Sequence, residues 1–264
     1  VSNPRQTGGD PAACYRPAVN PVPVLDPLAN ASPVAAPLET AWLGTVAYRD
    51  AWALQKRLAG ERADGTIGDR LLLLEHPPVL TLGRHADERH VRAPRDELAA
   101  RGIEVIRVER GGEVTYHGPG QLVAYPIVRL ASRGILLRPF VRALEAAMIE
   151  TCAAFGVAAG RREGEPGCWV DAAGPAPRKI GALGIRVERG VTYHGIALNV
   201  APDLSGFALI DACGMPDVAS TSIEAEGGRG PGEEPPAVAT AARVFADSLV
   251  RRLDATSTFA RASG

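Results

Sequence analysis

Lysine is almost missing from this 264-residue chain: Lys56 and Lys179 are the only two among 29 basic residues, and the others are arginine. Arginine keeps its proton throughout the physiological range, so only these two side chains offer an amine that could act as a base. Cysteine is scarce as well. The four cysteines are scattered and form no C-x-x-C pair, which excludes a disulfide scaffold and a cysteine-rich zinc site. No apolar run reaches the roughly 18 residues that span a bilayer, and no basic-then-apolar start reads as a signal peptide. Excess charge is missing too. With a net charge of −1 the chain has no overall field that would attract nucleic acid or an anionic membrane surface. These absences lead to the expectation of a soluble, cytoplasmic protein with reduced thiols and with neither nucleic acid nor membrane as partner.

What is present is the composition of a globular chain, 46% apolar and 22% charged. Eight of the 22 prolines fall in residues 1–38, which lack apolar periodicity and read as a flexible Pro/Ala-rich tail. Residues 39–254 read as one catalytic domain and 255–264 as a C-terminal tail. Gly227 to Pro236 reads as a surface loop. Between the tails, strand and helix signals alternate. Strands are predicted at Trp42–Val46, Leu71–Leu74, Val79–Leu82, Ile103–Val108, Gln121–Val128, Cys168–Val170, Ile180–Val187 and Gly195–Val200. Pro126 places part of its strand at an edge or a bend. Helices are predicted at Arg49–Glu61, Pro94–Ala100, Pro139–Phe155 and Val238–Leu253. In the third of these, Phe140, Leu144, Met148, Cys152 and Phe155 share a face. The order predicts an α/β (α+β) fold with a mixed sheet.

The sequence echoes itself. Arg107-Val108-Glu109-Arg110-Gly111 leads to Val114-Thr115-Tyr116-His117-Gly118, and Arg186-Val187-Glu188-Arg189-Gly190 leads to Val191-Thr192-Tyr193-His194-Gly195. The first copy carries Gly112-Glu113 as an insertion. Two similar hairpins would follow, either from shared hairpin grammar or because both present His-Gly corners to one pocket. Arg110 to Gly120 is dense in glycine and suits a loop that wraps a ligand with main-chain N–H groups, but it lacks the endings of a P-loop or a dinucleotide fingerprint. His117 and His194 are candidates for acid–base work or pocket lining, and neither has metal-ligand spacing. Cys152 reads as a core hydrophobe. Cys213 follows the apolar run Phe207 to Ile210 and precedes Gly214, where a strand giving way to a turn would expose the thiol. Lys179 opens a run of small and apolar residues, KIGALGIRV; it is either a strand-end lysine reaching solvent or a cation held beside a thiol.

Three segments taken together, RGGEVTYHGPGQLVAYPI from Arg110, KIGALGIRVERGVTYHGIALNV from Lys179, and Cys213-Gly214, resemble the lipoyl(octanoyl) transferases, as does Glu75-His76-Pro77-Pro78 with Gly83-Arg84. The resemblance implies the mixed-sheet fold of biotin and lipoate protein ligase catalytic domains. It implies octanoyl transfer from octanoyl-acyl carrier protein to the acceptor lysine of lipoyl domains, those of 2-oxoacid dehydrogenase complexes and of the glycine cleavage H protein. No cofactor or metal is implied, and a monomer is expected. By the same resemblance Cys213 is the acyl-thioester cysteine and Lys179 the lysine that lowers its pKa. Arg110, Gly111, Gly112, Glu113, Val114, Thr115, Tyr116 and His117, with Ala182-Leu183-Gly184 and Gly195-Ile196-Ala197, match the substrate-binding elements. An apolar acyl slot is expected between the His76–Leu82 and Leu183–Ile196 regions. The chain departs from the family in having Ala212, not proline, before the cysteine. An ATP-dependent lipoate or biotin ligase on the same fold, or a non-catalytic lipoyl-domain or acyl binding protein, are the alternatives.

Overall fold

The structure, a computed structural model, describes residues 37–215 and 218–262. The chain runs β1 (Glu39–Thr45), α1 (Tyr48–Asp64), β2 (Arg70–Glu75), β3 (Val79–Leu82), α2 (Arg95–Ala100), β4 (Glu104–Arg107), β5 (Val114–His117) and β6 (Gln121–Ile127). It continues through α3 (Leu137–Ala154), β7 (Gly160–Arg162), β8 (Glu165–Val170), β9 (Arg178–Glu188), β10 (Val191–Asn199), β11 (Ala219–Ser220) and α4 (Val238–Ala262). The main sheet has the order β1-β2-β6-β10-β9-β8-β7, with β11 added parallel to β9. A second sheet has the order β4-β3-β5. Helices α3 and α4 pack together against one side of the main sheet and α1 lies against β10 and β6. The mixed sheet with flanking helices is the architecture that the sequence leads one to expect.

Local sequence explains most elements. The run Leu71 to Leu74 has no polar face, and β2 is accordingly an interior strand buried throughout that run. In α3, Phe140, Leu144, Met148 and Cys152 recur every fourth residue and all are buried in the largest core cluster. Helix α1 stops at Gly65, which takes φ 79° and returns its N–H to Arg62 O and Glu61 O.

Several expectations are corrected. Only the second copy of the echo is a hairpin: β9 and β10 pair antiparallel across Arg189-Gly190, with φ 49° and 78°. In the first copy β4 and β5 do not pair with each other, because β3 lies between them. The Gly112-Glu113 insertion gives that segment the length to cross to the main sheet, where Gly111 N donates to Ile185 O at 3.2 Å. The apolar run before Cys213 is not a strand. It forms a 3₁₀ segment, Leu204–Leu209, started by the Asp203 carboxylate on Ser205 N. Of the edge or bend expected at Pro126, the edge is excluded, because β6 is an interior strand. The β6–β10 ladder breaks there, after the Ile196–Ala124 pair, and the Thr192 hydroxyl donates to Pro126 O at 2.6 Å and accepts from Val128 N at 3.1 Å. Leu38, assigned to the tail by its sequence, is buried in the main core, while the proline-rich segment before residue 37 and Cys14 lie outside the described residues. Helix α4 continues past Leu253 to Ala262, since no glycine or proline interrupts it. The Gly227–Pro236 loop is exposed apart from Gly228, Gly230 and Pro236.

The segment Arg110–Glu113 is clamped between the two sheets by glycine on either side. A Cβ at Gly83 would stand 2.0 Å from Gly112 O, and one at Gly184 would stand 2.5 Å from Gly111 O. Backbone must move to admit either. Gly184→Ala is therefore expected to cost about 1–3 kcal/mol, as overpacking of a tight site does. Gly60→Ala, in α1 with nothing near the added methyl, is expected to stabilise by about 0.5–1 kcal/mol. Urea denaturation of the two variants measures both.

Candidate active site

The clamped segment, the β9–β10 hairpin, the first turns of α3 and the Cys213 turn enclose a cavity of about 450 Å³. Of the substrate-binding residues expected from the sequence, Arg110 through Thr115, His117, Ala182-Leu183-Gly184 and Gly195-Ile196-Ala197 line it, together with Lys179 and Cys213. Tyr116 does not. It alternates to the far side of β5 and packs edge-on against Phe207, ring centroids 5.5 Å apart. The wall expected from His76–Leu82 is also not there. None of those residues lines the cavity, because the clamped segment lies in front of β3. Tyr48, Tyr125, Leu137, Val141, Pro166 and Met215 take part instead. The tyrosines had one signal, their rarity in a chain with 5% aromatic residues. Leu137 and Val141 sit one position off the buried stripe of α3, spaced i, i+4.

Cys213 occupies a short 3₁₀ turn, Ala212–Gly214, and is half-buried. Its backbone is left-handed, φ 57° and ψ 23°, a conformation uncommon outside glycine and concentrated at functional sites. The turn is anchored from outside: Asp211 N donates to His90 O at 2.8 Å, and Ile210 bridges to Val91. His90 Nδ1 in turn donates to Glu113 Oε2 at 3.1 Å, joining the turn's support to the clamped segment.

Lys179 is fixed on β9. Its stem passes over Gly167, where a Cβ would come within 3.0 Å of Cε, and its ammonium stands 4.8 Å from the Trp169 ring centroid. Lys56 lies elsewhere, 4.0 Å above the Trp52 ring, and does not line the cavity.

Behind the cavity wall runs a directional chain of buried hydrogen bonds. Arg110 Nη2 donates to Thr81 O at 2.7 Å and to Thr81 Oγ1 at 2.8 Å. The Thr81 hydroxyl faces His117 Nε2 at 3.4 Å, and His117 Nδ1 donates to Gln121 Oε1 at 2.7 Å. Gln121 Nε2 donates to Asn199 Oδ1 at 2.9 Å, and Asn199 Nδ2 to Thr221 O at 2.8 Å. With the amides oriented this way, His117 is neutral and protonated on Nδ1. His76 donates from Nδ1 to Val46 O at 2.6 Å and accepts from the Tyr125 hydroxyl at 2.8 Å. Burial pushes His76 and His194 down to about 4 and His117 well below the usual imidazole range. Burial likewise raises the Tyr48 hydroxyl to about 12. The buried layer of imidazoles and tyrosines is therefore polar but uncharged, and Arg110 is the cation set within it. Among the described residues Arg110 has no carboxylate within ion-pair distance.

The arrangement holds a thiol and an amine at an apolar-walled slot. A family described as "Lipoyl protein ligase A/B catalytic domain" matches residues 47–247. An octanoyltransferase of Chloroflexus aurantiacus is 51% identical over 191 residues, covering 72% of this chain and 84% of that protein. An octanoyltransferase of Acidobacterium capsulatum is 49% identical, covering 70% and 78%. One from Mycobacterium sp. is 47% identical, covering 82% and 87%. Among solved structures, a bi-partite lipoate protein ligase of Thermoplasma acidophilum aligns with a TM-score of 0.57 at 15% identity over 83% of each chain. A lipoate-protein ligase A bound with ATP gives a TM-score of 0.56 at 15% identity, covering 84% of this chain and 93% of the other. At that identity the two structures speak for the fold alone, whereas the sequence matches reach further: the chain belongs to the octanoyltransferase family of lipoyl protein ligase A/B catalytic domains.

Proposed function

We propose that this protein transfers an octanoyl group from the thioester of an acyl carrier protein to the acceptor lysine of a lipoyl domain, through a thioester on Cys213. The acceptors are the lipoyl domains of 2-oxoacid dehydrogenase complexes and the glycine cleavage H protein. The observation that carries the reading is the presence of one thiol and one amine, Cys213 and Lys179, in the same slot with apolar walls. In the first half-reaction the Cys213 sulfur attacks the carrier thioester, its proton passes to the departing carrier thiol, and one thioester replaces another. The two are close in energy, so no ATP is needed. In the second, the acceptor amine attacks the Cys213 thioester, an amide forms and the sulfur leaves. Lys179 is the group that takes the proton from the attacking amine and returns it to the sulfur. The backbone N–H groups of the Cys213 turn are the candidates for holding the oxyanion.

Mass spectrometry after incubation with octanoyl carrier protein, without ATP, is expected to find one octanoyl adduct on Cys213, discharged when lipoyl domain is added. Cys213→Ala is expected to form none. A protein that forms no adduct and catalyses ATP–pyrophosphate exchange would be a ligase instead. Lys179→Arg keeps the cation but cannot give up its proton. It is expected to load the adduct and then discharge it about 10²–10⁴-fold more slowly, read by single-turnover kinetics.

The buried imidazoles also set an acid limit. His76 and His194 stay neutral in the folded protein down to about pH 4, while in the unfolded chain they take up protons near pH 6.5. Stability is complete above that value and falls as the pH drops from about 6.5 to about 4, by about 3 kcal/mol for each. Urea denaturation at pH 7, 5.5 and 4 is expected to show the loss.

A further inference from the structure

The depth of the slot can be read from strand register. Cys213, Lys179, Ala182 and Ala197 share a small second cavity of about 20 Å³, so the thiol lies at the level of the Ala182–Ala197 pair. Three residues along the hairpin, Ile185 pairs with His194, and both line the main cavity. Three strand residues span about 10 Å. An extended octanoyl chain has seven C–C bonds of about 1.5 Å and, zigzagging, covers about 9 Å. A chain laid along the hairpin from Cys213 therefore brings its methyl end to His194.

His194 is an unusual residue to meet there. It is 1% exposed, its φ is 55°, and its backbone N–H is held by Gln55 Oε1 at 2.8 Å. Its ring is stacked on Tyr193, with centroids 5.1 Å apart, and stands edge-on to Tyr125 at 6.4 Å. Position and tilt are thus fixed. Yet neither ring nitrogen has a hydrogen-bond partner among the described residues. A neutral imidazole carries one donor and one acceptor, and buried groups of that kind are met by protein or by ordered water.

We propose that His194 is the chain-length gauge of the acyl slot: its ring nitrogens hold ordered water at the end away from Cys213, and an acyl chain beyond eight carbons enters only by stripping that water. The inference rests on the acyl-transfer reading above and adds to it the residue that selects the acyl group. An eight-carbon chain ends against the hydrated ring and leaves it satisfied. Each further methylene exchanges water for hydrocarbon at two buried polar atoms. His194 touches the end of the substrate and none of the reacting atoms, so it governs selectivity and not the chemical step.

The test uses hexanoyl, octanoyl, decanoyl and dodecanoyl carrier-protein thioesters with a lipoyl domain as acceptor. The unaltered protein is expected to prefer octanoyl over decanoyl by about tenfold or more in kcat/KM, on the scale that a misfit methylene produces. His194→Asn shortens the side chain and tolerates a positive φ, and is expected to raise the decanoyl-to-octanoyl ratio by about tenfold. An unchanged ratio, including equal losses on both donors, overturns the proposal. Should the asparagine variant not fold, Ile185→Ala opens the slot at the same depth, and the same shift is expected of it; no shift overturns the gauge. If the unaltered protein transfers none of the four groups, it is the transferase reading that fails. The gauge is then read by calorimetry with the free C6 to C12 fatty acids, and identical length profiles in protein and variant refute it.

Discussion

A backbone segment held against backbone on both sides is the constraint on which this site depends. Residues Arg110–Glu113 fit between the small sheet and the main sheet because Gly83 and Gly184 present no side chain to them. That approach delivers the Arg110 guanidinium to Thr81, sets the inner wall of the slot, and brings Glu113 to His90 under the Cys213 turn. It also explains the internal echo. Two copies of one sequence pattern take different structures because one carries two extra residues, and those residues carry it from one sheet to the other.

The polar layer beside the slot follows from the same closeness. Burying three imidazoles and two tyrosines around the slot leaves them neutral, and the tautomers of His76 and His117 follow from their hydrogen-bond partners. Arg110 is the exception: a cation in a buried wall, with three of its hydrogen bonds going to oxygens of Thr81 and Gly111 and none to a carboxylate. A carbonyl-lined cradle tolerates such a charge without neutralising it, so its field extends into the slot. Lys179, by contrast, rests on the face of an indole, a contact that holds its ammonium in place.

How much of this was legible depended on range. Strands and helices with strong local patterns, such as Leu71–Leu74 and the Phe140–Cys152 stripe, could be read from the chain alone. So could the Arg110–Gly120 loop, since glycine beside chemistry-bearing residues is a local signal, while Ala182–Gly184 and Gly195–Ala197 were reached through the family resemblance. Three things could not. The insertion of β3 between β4 and β5 is a pairing between segments remote in sequence, and no local pattern encodes it. The 3₁₀ form of Leu204–Leu209 rests on an Asp-Ser capping contact and on the fit of Gly206 against the Tyr116 ring, which outweigh an apolar run that reads as a strand. The opposite destinations of Tyr116 and His117, adjacent on one strand, depend on which face of β5 meets which core.

The left-handed backbone at Cys213 has a consequence for what this position can become. Side chains branched at Cβ fit that conformation poorly, whereas cysteine, serine and asparagine tolerate it. A hydroxyl could replace the thiol only as serine. Threonine, a nucleophile on other scaffolds, is shut out here by the shape of the main chain before its reactivity is ever tried, so divergence at this turn is channelled toward a narrow set of chemistries.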